Sequence, residues 1–446
     1  MRTRDEIVRL DKAHVWHPYT AMDEYIAHTD PLVVAEAQGS FLVDVNGRRY
    51  LDANGSWWVS TLGHRHPRLV AALKKQVDLL PHSALAGCTH ATAAELAASL
   101  AEMAPSAPSA KDASPLSKVF FVDNGSGAVE VALKAAAQYW AQNGRPQRTR
   151  FISLQGAFHG DTMGATSVGG IAVFRQVFGP LLFDVVHAPF PAEDGAERAF
   201  EAILTLLRQG KDTVAGVVLE PLLQGASGMR MFAPKYLRAV RQATRDVDTF
   251  LIADEVFTGF GRTGTVFACE QADVVPDMLC LAKALSGGLL PFGATLMNER
   301  IFAGFGGGKD RALLYGHSYC GNPLGAAVAQ EVLRVYRDER VLEGVQSRAA
   351  RIAEAVGRWA KIPGVGRPRA LGMVGAVDLG QEGYLSDAGW RVYEHAKALG
   401  LYLRPLGDTI YVAPALNIPI ADLEVLLTGV EAALNAALNS SKQPAH

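Results

Sequence analysis

Cysteine is scarce in this chain. Four residues, Cys88, Cys269, Cys280 and Cys320, are scattered over 446 positions without a C-x-x-C pair, too sparse for a disulfide framework or a zinc knuckle. A reducing, cytoplasmic setting is expected. Charge of one sign is also missing: 43 basic against 45 acidic residues give a formal charge of −2, with no electrostatic footprint for nucleic acid or a membrane surface. Small-molecule partners are expected instead. Uncharged stretches such as 284–298 and 312–330 are interrupted by Gly, Pro, Ser or Asn, which argues against a membrane-spanning helix. The opening "MRTRDEIVRLDKAHVWHPYT" has acidic residues and no apolar core, so no signal peptide is expected. A metal set is absent too. His64 and His66 stand at i,i+2, which points them apart on a strand, with no neighbouring carboxylate or cysteine to complete a site.

What is present is a long middle section of short apolar runs: "VFFV" (119–122), "FISL" (151–154), "FDVVH" (183–187), "VAGVVLE" (214–220), "TFLIADE" (249–255), "MLCLA" (278–282) and "GATLM" (293–297). Runs without alternation, separated by helical or loop-length segments, read as strands buried on both faces of a doubly wound, mostly parallel sheet. The fold class is therefore α/β. Before this section, Asn46-Gly47 between alternating runs predicts a hairpin with a type I′ turn. After it, Val345, Ala349, Ile352, Val356 and Trp359 mark an amphipathic helix within a long helical region from about Gly325 to Lys361. "GMVGAVDL" and "LGLYLRPLGDTIYVAP" then read as short strands, the latter a pair turning at Gly407-Asp408. These segments predict a large α/β domain over 61–330 and a smaller α+β domain from 1–60 plus 331–446. "APSAPSAKDASPLS" (104–117) reads as a loop, and the tail "NSSKQPAH" as a frayed end.

Ligands of open α/β sheets bind beyond the carboxyl ends of the strands. "VFFV" runs into "DNGSGAVEVALKAA", a Gly-rich turn feeding a helix, whose amides at Gly125, Ser126 and Gly127 would face a phosphate. "FISL" runs into "QGAFHGDT", and other strands end at Glu220, Asp254-Glu255 and Lys283. Each feature has an ordinary structural reading: a tight turn, a core phenylalanine, a capping aspartate, a lysine that snorkels to water. Together they match pyridoxal phosphate, which needs a lysine for its Schiff base, a carboxylate for the pyridinium nitrogen and a phosphate anchor. "GFGRTG" (259–264) fits the dinucleotide pattern G-x-G-x-x-G, but two carboxylates precede it and no clear helix follows, so a nicotinamide site is not expected.

"LIADEVFTGFGRTG", "LAKALSGGLLPFGA" and "YGHSYCGNPLGAAVA" resemble the class III pyridoxal-phosphate aminotransferases, over nearly the whole chain. The resemblance implies a fold-type-I transferase with a seven-stranded sheet in its large domain, working as a homodimer by a ping-pong cycle. "VWHPYTAM", "GSWWVSTLGHRHP" and "EPLLQGASGMRMF" are similar to the branch that aminates 8-amino-7-oxononanoate in biotin biosynthesis. The donor in that branch is S-adenosylmethionine or, in some relatives, lysine. Carried over by motif, Lys283 would hold the cofactor and move the proton, and Asp254 would face its ring nitrogen. Gly125 and Ser126 would bind the phosphate, completed across the dimer by His317 and Ser318 with Gly316 near the substrate. Phe158 would stack on the ring beside Asp161. Tyr19, Trp57 and Trp58 would shape the substrate pocket, Arg404 would take a carboxylate and Tyr411 would lie close by. Three positions depart from the family pattern: Phe158 stands where tyrosine is common, Phe257 where a smaller or amide residue is common, and His317 where proline is usual.

Overall fold

The computed structural model describes residues 2–106, 114–380 and 383–440. Three short strands come first: β1 (Val34–Gln38), β2 (Phe41–Asp44) and β3 (Arg49–Asp52), paired antiparallel in that order. The turn between β2 and β3 differs from the type I′ expected. Only Gly47 of the central pair has positive φ, at 81°, and its amide donates to the Asp44 carbonyl at 2.9 Å. The Asp44 carboxylate accepts from the amides of Asn46 and Arg48, each at 2.9 Å. That local side-chain turn outcompetes the two-residue hairpin and leaves a left-handed glycine at the end of a longer loop.

The central sheet follows: β4 (Leu116–Val122), β5 (Arg150–Leu154), β6 (Val185–Ala188) and β7 (Val214–Leu219), then, after a small ribbon of β8 (Leu223–Gln224) and β9 (Arg230–Met231), β10 (Phe250–Asp254), β11 (Met278–Leu281) and β12 (Gly293–Asn298). Its order is β4-β12-β11-β10-β7-β5-β6. Pairings from β11 to β6 are parallel, and β12 runs antiparallel to both β11 and β4. Strand residues alternate between two apolar layers. Val218, Ile252 and Cys280 pack with the helix Gly125–Gln142, whereas Val217, Leu251 and Leu279 join the layer containing helices Ala196–Gln209 and Pro234–Asp246. This two-sided burial is why the strands show unbroken hydrophobicity in sequence.

The rest of the chain holds β13 (Gly366–Leu371), β14 (Val374–Asp378), β15 (Leu401–Tyr402) and β16 (Thr409–Val412). The turn expected at Gly407-Asp408 forms, with Leu406 and Thr409 exchanging backbone hydrogen bonds at 3.0 Å, but the strands on either side of it do not pair with each other. β15 pairs in parallel with β3, and β16 pairs antiparallel with β14. Pro405 lies between the two strands, and Arg404 to Asp408 carries the chain from one sheet to the other, a connection that local sequence does not report. The long helical region resolves into two helices, Pro323–Asp338 and Val345–Trp359. They are separated at Arg340, whose left-handed φ of 50° cannot continue a helix. Part of the 104–117 loop and most of the C-terminal tail lie outside the described residues. No helix among the described residues is long and apolar enough to cross a membrane.

Candidate active site

The carboxyl ends of β4, β5, β7, β10 and β11 surround a cavity of about 420 Å³ whose wall includes Gly125, Ser126, Phe158, Glu220, Asp254 and Lys283. Lys283 follows β11 in a backbone conformation of φ 39°, unusual for a side chain with a Cβ. Such strain persists where surrounding structure enforces it and is common at functional sites. Its amine has no hydrogen-bond or ion-pair partner among the described residues, and Nζ lies 5.1 Å from the centroid of the Trp58 ring. Burial pushes its pKa below that of an ordinary lysine, with Asp254 and Glu220 pulling the other way. This amine is therefore easier to deprotonate than a surface lysine.

Asp254 closes β10 and is 4% exposed. Its Oδ2 lies 2.7 Å from His159 Nδ1, and Oδ1 accepts from the Val256 amide at 3.1 Å. His159 is thus a member of the site that sequence reasoning passed over; the signal available was its place in "QGAFHGDT", directly beyond a strand end. Glu220, just past β7, is also buried. It accepts from the Phe158 amide at 3.0 Å and the Gly225 amide at 2.9 Å, and burial raises its pKa to about 7. It ties the loop carrying Phe158 to the turn after β8. The neighbouring Glu255 faces away, accepting from the amides of Ala268 and Cys269 at 2.7 and 2.9 Å.

At the phosphate-like turn, one amide of the three expected is spent: Gly127 donates to the Asn124 side chain at 2.7 Å, an N-cap for the helix Gly125–Gln142. The amides of Gly125 and Ser126 remain without a partner among the described residues, at the positive end of the helix. Their surroundings are tight. A Cβ on Gly125 would meet Val256 Cγ1 at 2.8 Å, and one on Gly160, whose φ is +123°, would meet Ser126 Oγ at 1.9 Å. The Asp161 amide donates to that same Ser126 Oγ at 3.3 Å.

A second cavity of about 320 Å³ opens from the first and shares Trp58, Phe158 and Lys283 with it. Tyr19, Trp57, Asp161, Phe174 and Tyr384 line its other sides. The Tyr19 hydroxyl donates to Asp161, and burial, followed by that carboxylate, holds the phenol well above its usual range. Ser56, Trp57 and Trp58 all have positive φ, at 46°, 64° and 76°. This left-handed turn is held by Asp52, which accepts from the Ser56 amide at 2.7 Å and is itself braced by His64 at 2.9 Å. Trp58 leans on Phe257 with ring centroids 4.4 Å apart. Arg404 lines neither cavity but stacks on Trp57 at 4.3 Å, and its Nη1 is buried without a hydrogen-bond partner among the described residues.

Other expected site residues lie elsewhere. Tyr411 is fully buried and lines neither cavity; its hydroxyl accepts from Trp58 Nε1 at 3.1 Å, so it stands behind the tryptophan rather than beside a ligand. Gly316, His317 and Ser318 also line neither cavity of their own chain. His317 Nε2 comes within 3.8 Å of Asp123 Oδ1, on the cavity rim. The "GFGRTG" segment is interior structure, with Arg262 1% exposed and donating to the Pro414 carbonyl at 2.7 Å.

A desolvated free amine, a histidine-braced carboxylate and two unpaired helix-terminal amides in one cavity define the donor set of a pyridoxal-phosphate enzyme. Consistent with it, the family model of class-III aminotransferases matches residues 25–434, and the chain belongs to that family. The chain is similar, at 41% identity over 96% of its length and 81% of the relative's, to an adenosylmethionine-8-amino-7-oxononanoate aminotransferase of Nitratidesulfovibrio vulgaris. The crystal structure of the enzyme of that name from Methanocaldococcus jannaschii superposes with a TM-score of 0.92 at 34% identity, covering 97% of this chain and 99% of that one. An amine transaminase from an uncultivated Pseudomonas species, solved in its PLP-bound form, matches with a TM-score of 0.86 at 31% identity, covering 95% and 98%. The fold is thus that of a PLP-dependent transaminase and the cofactor is pyridoxal 5′-phosphate.

Proposed function

We propose that this protein transfers an amino group from S-adenosylmethionine to the 7-oxo group of 8-amino-7-oxononanoate, giving 7,8-diaminononanoate for biotin synthesis. The observation that carries the reading is the unpaired Lys283 amine, set between the Asp254 cavity and the tryptophan-walled one; the substrate pair comes from the names of relatives similar over nearly the full chain. Bound here, pyridoxal phosphate supplies an electrophilic carbon and an electron sink that makes the carbon bearing the transferred amine acidic.

The chain's own groups do the rest. Lys283 would hold the cofactor covalently and, once released, would take the proton from that carbon and deliver it to the cofactor carbon that accepts the amine, a role suited to an amine whose pKa is lowered by burial. Asp254, fixed by His159, would face the ring nitrogen and keep its proton in place. Gly125 and Ser126 would receive the phosphate, and Phe158 would cover the ring. Tyr19, Trp57, Trp58 and Asp161 shape the substrate side and exclude water, and the unpartnered Nη1 of Arg404 awaits a substrate carboxylate.

A homodimer in the cytoplasm is part of the same reading. Leu79, Leu314 and Tyr319 are 74%, 69% and 57% exposed, and the 316–318 segment lies near Asp123 without entering its own cavity. The division into 61–330 and 1–60 plus 331–446 is supported by the sheets: the central one and the β8-β9 ribbon lie within 116–298, and the other two are built from flanking chain. A two-substrate assay is decisive. Diaminononanoate formed from 8-amino-7-oxononanoate and S-adenosylmethionine is expected, and its absence with every amino donor tried would overturn the reading. Lysine is run in parallel because Phe158 offers no hydroxyl to a polar donor.

A further inference from the structure

The histidines of "GHRHP" hold no metal, but the fold brings each of them a carboxylate from elsewhere in the chain. They point apart: His66 Nε2 lies 3.4 Å from Glu339, and His64 Nε2 lies 2.9 Å from Asp52. The second pair is the deeper one, its side chains only 12% and 2% exposed. The backbone of His64 is fixed before its ring is placed. Its amide donates to the Gly39 carbonyl at 2.7 Å, and its carbonyl accepts from the Gly39 amide at 2.9 Å. With Nε2 turned to the carboxylate, Nδ1 is left to accept from Ser60 Oγ at 3.4 Å.

Asp52 stands behind the substrate wall. Its carboxylate accepts from the amides of Asn54 at 3.1 Å and Ser56 at 2.7 Å, and among the described residues His64 is its one ion-pair partner. Asn54 carries the contact onward. Its Oδ1 accepts from the Arg404 amide at 2.6 Å, and its Nδ2 donates to the Tyr411 carbonyl at 3.2 Å. On the other side, Ser60 packs against the turn that follows Lys283: a Cβ on Gly288 would meet Ser60 Oγ at 2.9 Å and the Val59 carbonyl carbon at 3.0 Å. One buried polar cluster therefore touches the aromatic turn, Arg404 and the segment carrying the reactive lysine.

Ser56, Trp57 and Trp58 hold positive φ in succession, a conformation unfavourable for residues with a Cβ and kept only where neighbours enforce it. The enforcing contact is a carboxylate, and a buried carboxylate without a partner is itself unfavourable. We propose that His64 is a positioning residue: by compensating Asp52 it keeps the Ser56 amide anchored, and so holds Trp57 and Trp58 where a substrate meets them. It lines neither cavity and acts only through Asp52. The choice of substrates for its kinetic test rests on the proposed function, whereas the geometry does not.

Two amides separate this role from simple packing. The side chain of His64→Gln places its amide nitrogen near the position of Nε2 and can still donate to Asp52, whereas the shorter His64→Asn reaches only the position of Nδ1. In holoenzyme, subtracting the near-ultraviolet circular dichroism of Trp57→Phe from that of the parent isolates the Trp57 band. The same difference taken in the His64→Asn background is expected to shrink, and in the His64→Gln background to return. In steady state, His64→Asn raises the KM of at least one substrate by about tenfold, the worth of a charge-assisted hydrogen bond, with a smaller change in kcat, and His64→Gln restores it. Asp52→Asn is read in the same way if His64→Asn does not fold. An unchanged Trp57 band in the folded variant, unchanged KM values for both substrates, or equal loss in His64→Asn and His64→Gln would overturn the role. Because the spectrum needs no turnover, a weakened band restored by His64→Gln in a protein that makes no diaminononanoate would uphold the positioning and sink the reaction.

Discussion

Lys283 is a buried amine without a hydrogen-bond or ion-pair partner among the described residues, and burial disfavours its charged form. In the cofactor-free protein its lowered pKa means that the unfolded chain binds more protons than the native one over the interval below the ordinary lysine value. Stability therefore rises with pH across that interval. Lys283→Met should raise the melting temperature of the cofactor-free protein, with a gain that shrinks as pH climbs towards about 10, and should reduce turnover by at least about a thousandfold. Melting curves over a pH series check the first, and assays of the reconstituted variant the second. Glu220 has the opposite sign. Its pKa is raised from 4.5 to about 7, so the native state keeps a proton that the unfolded chain has released, and the stability this contributes is lost as pH rises through that window. Glu220→Gln should flatten the decline between those two values, read by denaturant titration at stepped pH. The role of Glu220 was not legible in sequence. Lys283 and Asp254 stood out because each ends an apolar run, whereas the partners that define Glu220 and His159 lie far along the chain, Phe158 and Asp254 being 62 and 95 residues away.

Among elements, the strands were legible and their partners were not. Runs such as 214–219 and 250–254 are wholly buried, so hydrophobicity alone exposes them. β15 and β16 are short, and neither partner is the neighbouring strand in sequence: Leu401 pairs with Leu51 and Val412 with Gly375. The loop between β5 and the helix Met163–Val168 shows how closely such elements fit. At Gly160 the φ of +123° and a 1.9 Å approach of any Cβ to Ser126 Oγ admit only glycine. Gly160→Ala should cost about 1–3 kcal/mol and loosen pyridoxal phosphate, seen as a lower melting temperature and a weaker visible band during cofactor titration. Loop rebuilding that left both unchanged would show that this contact carries no load.

For the whole molecule, the exposed apolar side chains near the 312–322 segment bear on assembly. Leu314 is 69% exposed beside a segment that leads into the buried helix Pro323–Asp338. In the proposed homodimer, Leu314→Glu should shift dimers towards monomers in sedimentation velocity and lower cofactor retention at the same time. Dimers that persist with full occupancy would place the subunit contact elsewhere.

The parallel pairing of β15 with β3 reaches further than architecture. Leu51 and Asp52 pair with Leu401 and Tyr402, and the Ala413 amide donates to the Ala53 carbonyl at 2.7 Å, immediately before the left-handed turn that presents Trp57 and Trp58. A ribosome must therefore release almost the entire polypeptide before that aromatic corner gains its brace. Nascent fragments would carry the lysine and the phosphate nest yet lack a finished mouth, so translation that aborts early yields no half-competent catalyst.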